Sequence, residues 1–169
     1  LQGVTGSGKT ELYLRAVERA LAQGRSAIVL VPEIALTTQI IRRFGARFPD
    51  VLAVMHGALT PGQRYDQWRR IRAGELRVVI GARSAILAPV QRLGVVVVDE
   101  EHEWTYKQDQ QLPYYHAREA AIERAHLAGA TAILGSATPD LGSFYRAQRQ
   151  ELRHLALPRR VIGHRGVIA

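Results

Sequence analysis

The stretch "GVTGSGKT", Gly3 to Thr10, sets glycines at 3, 6 and 8 ahead of a lysine and a threonine. Glycines let a bend turn successive backbone N–H groups inward, and a helix starting near Lys9 aims its positive end at the same point. A concavity of that kind holds polyphosphate, and the pattern G-x-x-x-x-G-K-[ST] is matched completely. Gly3, Val4, Thr5, Gly6, Ser7, Gly8, Lys9, Thr10 and Glu11 are therefore expected around the phosphates of ATP. Lys9 would neutralise the β- and γ-phosphate oxygens and the Thr10 hydroxyl would hold Mg²⁺. The plainer alternative is a Gly/Ser turn before a helix, with no apolar strand visible ahead of it.

A second cluster follows four valines in "VVVVDEEHEW", where Asp99, Glu100, Glu101 and His102 stand together. Adjacent anions repel one another unless a cation or a proton-transfer task absorbs the charge. In open parallel sheets ligands sit beyond the carboxyl ends of strands, which is where this strand delivers Asp99. With a magnesium nucleotide at the glycine loop, Asp99 binds the metal through water, since Mg²⁺ keeps much of its hydration shell. Glu100 is placed to orient and deprotonate the attacking water, and His102 to sense the γ-phosphate. The expected catalytic set is Lys9, Asp99, Glu100 and His102, and the metal set Thr10 and Asp99. Acids that merely follow a strand as solvated loop residues are the alternative.

A third block, "LGSATPDL", ends a strand in Ser136, Ala137 and Thr138. The Ser136 and Thr138 hydroxyls can bond to the acids of a neighbouring strand tip and report the nucleotide's state elsewhere; an ordinary hydroxyl turn is the other reading. Between the second and third blocks lies "EWTYKQDQQLPYYHAR", in which Trp104, Tyr106 and Lys107 suit base stacking and phosphate contact. Tyr114 or Tyr115 is expected to cover the sheet edge instead. Thr37, Thr38 and Gln39 of "PEIALTTQ", with Arg83 and Ser84 of "GARSAI", offer donors to a phosphate backbone. Helix N-capping competes for the threonines, and His56 reads as a loop residue.

These residues need strands to carry them. Apolar β-branched runs occur in "SAIVLVP", "DVLAVMHG", "LRVVIG", "GVVVVD" and "TAILGS", with "LRHLAL" as a last candidate. Helical spacing is expected over "KTELYLRAVERALAQG", "ALTTQIIRRFGARF", "PGQRYDQWRRIRAG", "YYHAREAAIERAHLAG" and "DLGSFYRAQRQ". Strands this uniformly apolar belong in a mainly parallel sheet covered on both faces, a three-layer α/β domain. One lobe over residues 1–157 and a basic tail or linker over 158–169 are expected, in a piece of something longer. The chain has 169 residues, a formal charge of +8 and a pI near 10.6, which favours polyanionic partners, nucleic acid above all. The basic clusters "IRRFGAR" and "WRRIR" read as solvated helix faces. Absence of cysteine excludes disulfides and thiolate metal sites here. No run reaches the roughly 18–20 apolar residues of a membrane span, which agrees with a cytoplasmic protein without a membrane partner.

In this order "GSGKT", "DEEH" and "GSATP" resemble motifs I, II and III of the superfamily-two helicases, whose motor is a pair of RecA-like lobes. The longer blocks "GVTGSGKTE", "LVPEIALTTQ", "GARSAILAP", "DEEHEWTYKQ", "PYYHARE" and "LGSATPDL" are similar to the PriA family of bacterial replication-restart helicases. The resemblance implies the first RecA-like lobe, a P-loop NTPase domain, of an ATP-driven 3′→5′ DNA helicase that reloads replication at abandoned forks. It implies an aromatic DNA-sensing loop after motif II, and it gives the 37–39 and 83–84 blocks a DNA-binding role. It further implies a second helicase lobe, single-strand-binding protein and primosome proteins as partners, and zinc bound elsewhere in the parent protein. Residues that would recognise adenine are not seen ahead of Gly3, so the isolated segment is expected to be weakly active or inactive. Two other readings stand beside it: another superfamily-two translocase, RecG-like or restriction-type, and a nucleotide-gated scaffold without productive hydrolysis. A metabolic P-loop kinase would leave "GSATP" and the aromatic block unused.

Overall fold

The computed structural model describes residues 1–110 and 112–161. In chain order its strands are β1 (Gln2–Gly3), β2 (Ser26–Leu30), β3 (Leu52–Met55), β4 (Val78–Gly81), β5 (Leu93–Asp99), β6 (Lys107–Gln108), β7 (Tyr115–His116), β8 (Thr131–Gly135) and β9 (Ala156–Leu157). The α-helices are α1 (Lys9–Ala22), α2 (Thr38–Arg47), α3 (Pro61–Arg72), α4 (Ala117–Leu127) and α5 (Leu141–Gln148). Five strands form one parallel sheet in the order β3-β4-β2-β5-β8. Beyond β8, Gln2 bridges Ser136 and β1 pairs with β9, so the glycine loop leaves the sheet next to the tip of β8.

Every residue of β2 is buried, and its side chains alternate between two cores as strand geometry requires. Ile28 and Leu30 join Val79, Val96 and Val98 on one face, under Ile71 of α3 and the alanines of α4. Ala27 and Val29 join Val78, Ile80, Val95 and Val97 on the other, under Tyr13, Leu14 and Val17 of α1 and Phe44 of α2. Helix α4 presents Ala117, Ala121 and Ala125, spaced four apart, so its backbone comes close to β5 and β8. The expected three layers are present.

Three local expectations change. The helix expected from Tyr114 begins at Ala117, because Tyr115 and His116 pair with Lys107 and Gln108 as a small antiparallel ribbon. Residues Glu33–Ala35 form a 3-10 turn, and α2 starts only at Thr38, capped by the Thr37 hydroxyl. The strand expected in "LRHLAL" shrinks to β9. The arginines of "IRRFGAR" form an exposed face as expected, and from it Arg43 lies 3.5 Å from Glu11 and Arg47 bonds to Glu18 at 3.0 Å across to α1. Of the expected tail, residues 162–169 lie outside the described residues, while the Val161 N–H donates to the Gly6 carbonyl at 2.9 Å.

Candidate functional site

Gly8 is the N-cap of α1 at φ 91°, a left-handed conformation that a Cβ makes costly. In the same bend the Ser7 hydroxyl is buried and has no hydrogen-bond partner. Buried polar atoms are nearly always paired, so an orphan here fits a loop shaped for phosphate oxygens. Val4, Thr5 and Gly6 are exposed along the bend, while Thr10 and Glu11 open the first turn of α1. Glu11 is engaged with Arg15 at 3.1 Å as well as with Arg43. Lys9 is buried, donates to the Gly3 carbonyl at 2.8 Å and lies 3.7 Å from Glu100 Oε1.

The carboxylate is held from both sides. The Tyr13 hydroxyl donates to Asp99 Oδ1 at 2.9 Å, and the Tyr106 hydroxyl donates to the Asp99 carbonyl at 2.6 Å. Tyr13 reaches Asp99 only because residue 135 is glycine: a Cβ there would run into the Tyr13 hydroxyl. Burial pushes the Asp99 carboxyl above its ordinary range, opposed by the Tyr13 hydrogen bond and reinforced by the Glu100 charge. Burial and the Asp99 charge likewise push the Tyr13 hydroxyl up. Glu100 turns the chain at φ 47°, a strained backbone for a non-glycine residue. His102 Nδ1 lies 3.7 Å from Glu100 Oε2 and 2.8 Å from Ser136 Oγ. Ser136 Oγ also accepts from the Thr138 N–H at 2.9 Å. Three strand tips are thus linked by contact: Lys9 to Glu100, Glu100 to His102, His102 to Ser136.

The third acid has a different occupation. Glu101 is 2% exposed and accepts from the Asp140 N–H at 2.8 Å, the Ser143 hydroxyl at 2.8 Å and the Arg118 guanidinium at 3.1 Å. Arg118 also lies 3.0 Å from Asp140. Sequence reasoning set Arg118 among the cations beside the aromatic loop and gave Glu101 no role of its own, because no spacing rule pairs a strand-end acid with the second residue of a helix 17 positions on. Among the described residues no three His, Asp or Glu side chains gather as a metal cage.

Beyond the tips of β2, β3 and β4 runs a groove of about 620 Å³, lined in part by Arg83, Ser84, Trp104, Tyr106 and Gln108. Trp104 is 78% exposed, and Gln39 and Ser84 are exposed too. Lys107 is exposed and pairs with Asp109 at 3.2 Å. Arg83 donates to the carbonyls of Thr105 and Lys107 at 3.4 and 2.8 Å, fastening the aromatic loop. One expectation is overturned. Tyr106, expected to stack on bases, is 1% exposed within the core and has no face to offer. Tyr115 packs against the core as expected for one of the pair, and Tyr114 is exposed.

A phosphate loop whose lysine meets a strand-end carboxylate across a doubly covered parallel sheet defines the nucleotide-binding lobe of a P-loop NTPase. The chain belongs to the DEAD/DEAH box helicases, whose family model matches residues 1–146. It is 54% identical over 161 residues to the Replication restart protein PriA of Bacillus subtilis, covering 95% of this chain and 20% of that protein. It is 50% identical over 163 residues to the Replication restart protein PriA of Treponema pallidum, covering 96% and 25%. The chain therefore spans a fifth to a quarter of these relatives. Among solved structures it is similar to RecG bound to a three-way DNA junction, with a TM-score of 0.66 and 25% identity, covering 96% of this chain and 21% of that one.

Proposed function

We propose that this chain is the first motor lobe of a PriA-type replication-restart helicase and that its loop and carboxylates bind and hydrolyse ATP to drive movement along DNA. The contact of Lys9 with Glu100 carries the reading, because it puts a phosphate-binding cation and a candidate base in one cleft. In that cleft the 3–10 loop cradles the phosphates, and Lys9 neutralises their terminal oxygens. Glu100 orients the attacking water and takes its proton. Thr10 and Asp99 would hold the magnesium, which supplies charge neutralisation of the phosphates when bound. His102, 3.7 Å from Glu100, leads through hydrogen bonds to Ser136 and from Thr138 to the β8 tip, a line suited to relaying the nucleotide's state. Thr37, Gln39, Arg83, Ser84, Trp104 and Lys107 lie along the strand edge where DNA would run. Movement 3′→5′, a second lobe, and single-strand-binding and primosome proteins as partners rest on the likeness to the PriA relatives. So do a cytoplasmic setting and zinc elsewhere in the parent protein.

A RecG-type remodelling translocase is the second reading, supported by the likeness to that structure. The test is ATPase assay of the full-length parent with and without forked DNA, beside Lys9→Ala. Lys9→Ala is expected to lower the DNA-stimulated rate by about a hundredfold or more while fork binding persists. Equal loss of both, or no stimulation of the wild type by DNA, would count against the assignment.

A further inference from the structure

Tyr13 follows Lys9 by four positions and Thr10 by three, so it stands on the face of α1 that serves the phosphate loop. It is 1% exposed and belongs to the core formed with Leu14, Val17, Val29, Val95 and Val97. A phenylalanine would fill that place without a polar atom to bury. The tyrosine instead carries its hydroxyl through the core to Asp99 Oδ1, at 2.9 Å. The neighbouring strand gives way to it. Gly135 pairs with Asp99 across β5 and β8, and a Cβ there would collide with the Tyr13 hydroxyl. Gly135 is not among the glycines with positive φ, so its missing Cβ serves a close approach rather than a turn. A buried hydroxyl costs stability unless it is paired, and a glycine weakens a strand. Both costs meet in this one hydrogen bond.

Resting on the reading of Asp99 as a magnesium ligand, we propose that Tyr13 is the positioning residue for that carboxylate. Lys9, Thr10 and Tyr13 all stand on α1, so the hydroxyl fixes the rotation of Asp99 relative to the two groups that meet the phosphates and the metal. A carboxylate has about four acceptor sites, and one bond from Tyr13 leaves room for metal-bound water. Without the hydroxyl the carboxylate is no longer tied to the helix that carries Lys9, and its contact with the metal weakens. The glycine loop itself takes nothing from Tyr13. A purely structural tyrosine would behave differently: loosening α1 would disturb Lys9 and the loop together with Asp99.

The experiment measures binding of a fluorescent ATP analogue in magnesium and again in EDTA. It uses the full-length parent, its Tyr13→Phe and Asp99→Asn variants, and the double variant. The ratio of the two affinities is the metal's contribution. Tyr13→Phe is expected to cut that ratio about tenfold or more and to leave the EDTA affinity unchanged. Asp99→Asn should cut the ratio as well, and adding Tyr13→Phe to it should change nothing further, because the hydroxyl acts only through the carboxylate. In steady state Tyr13→Phe should lower kcat by a similar factor while fork binding persists. An EDTA affinity or a fork affinity that falls as far as the magnesium affinity makes Tyr13 a structural prop and overturns the proposal. An unchanged ratio in Tyr13→Phe, or an additive loss in the double variant, overturns it too. A wild type that binds the analogue no better with magnesium overturns the magnesium-site reading instead.

Discussion

Asp99 carries a charge that the nucleotide-free fold disfavours. Its carboxyl is pushed up by burial, with the Tyr13 hydrogen bond only partly opposing that shift. The sign follows from linkage: a carboxyl raised in the folded state favours folding when protonated, and that contribution is lost as pH rises through the folded value. Asp99→Asn keeps an oxygen for Tyr13 and removes the charge. It is therefore expected to raise the melting temperature near neutral pH without nucleotide or magnesium, while abolishing ATP hydrolysis. The gap should narrow as pH falls through the folded value and close below the ordinary carboxylate range, where folded and unfolded forms of both proteins are neutral. Thermal denaturation across that range checks it, and a pH-independent gap would remove the explanation. Such a trade of stability for function is common at active sites. The buried Tyr106 teaches a related lesson: its hydroxyl holds the Asp99 backbone from the core, so Trp104 alone of the pair is exposed.

Elements meet at Glu101, where the end of β5, the start of α4 and the N-terminus of α5 share one carboxylate. Three donors converge on its two oxygens. Glu101→Ala leaves Arg118 partly unpaired in a buried place and is expected to cost about 3–5 kcal/mol. Glu101→Gln should not rescue it, since an amide NH₂ would face a donor; a loss of about 1–3 kcal/mol is expected. Urea denaturation measures both, and a neutral Glu101→Gln would mean that the three elements are joined differently. The sheet itself was legible: "SAIVL" and "VVVVD" are buried on both faces as parallel strands must be, and the order of loop, acids and "GSATP" placed the cleft. What escaped was tertiary. Nothing in the periodicity of "WRRIR" says that Trp68 lines a groove, and nothing in "TYK" says that Tyr106 turns inward while Trp104 turns out. The Arg118 partner of Glu101 follows from the crossover geometry, which no local spacing encodes.

At the scale of the whole molecule the formal charge of +8 is what remains after several arginines are matched to acids. Arg43 and Arg47 join α2 to α1, Arg69 and Arg70 pair along α3, and Arg118 and Arg146 meet acids near α5. Arginines already paired release few counterions on binding a strand, so the salt dependence should be carried by the cations on the groove side. Arg64, on the groove lining, is one of them. Each phosphate neutralised contributes about 0.7 to the slope of log K against log salt for a single strand. Arg64→Ala is therefore expected to flatten that slope by about 0.7 in the full-length parent. Trp68→Ala should lower affinity by a constant factor at every salt concentration and leave the slope alone. Titrations between about 50 and 200 mM salt separate the two effects. If both variants changed the slope equally, this separation of charged from uncharged contacts in the groove would be wrong.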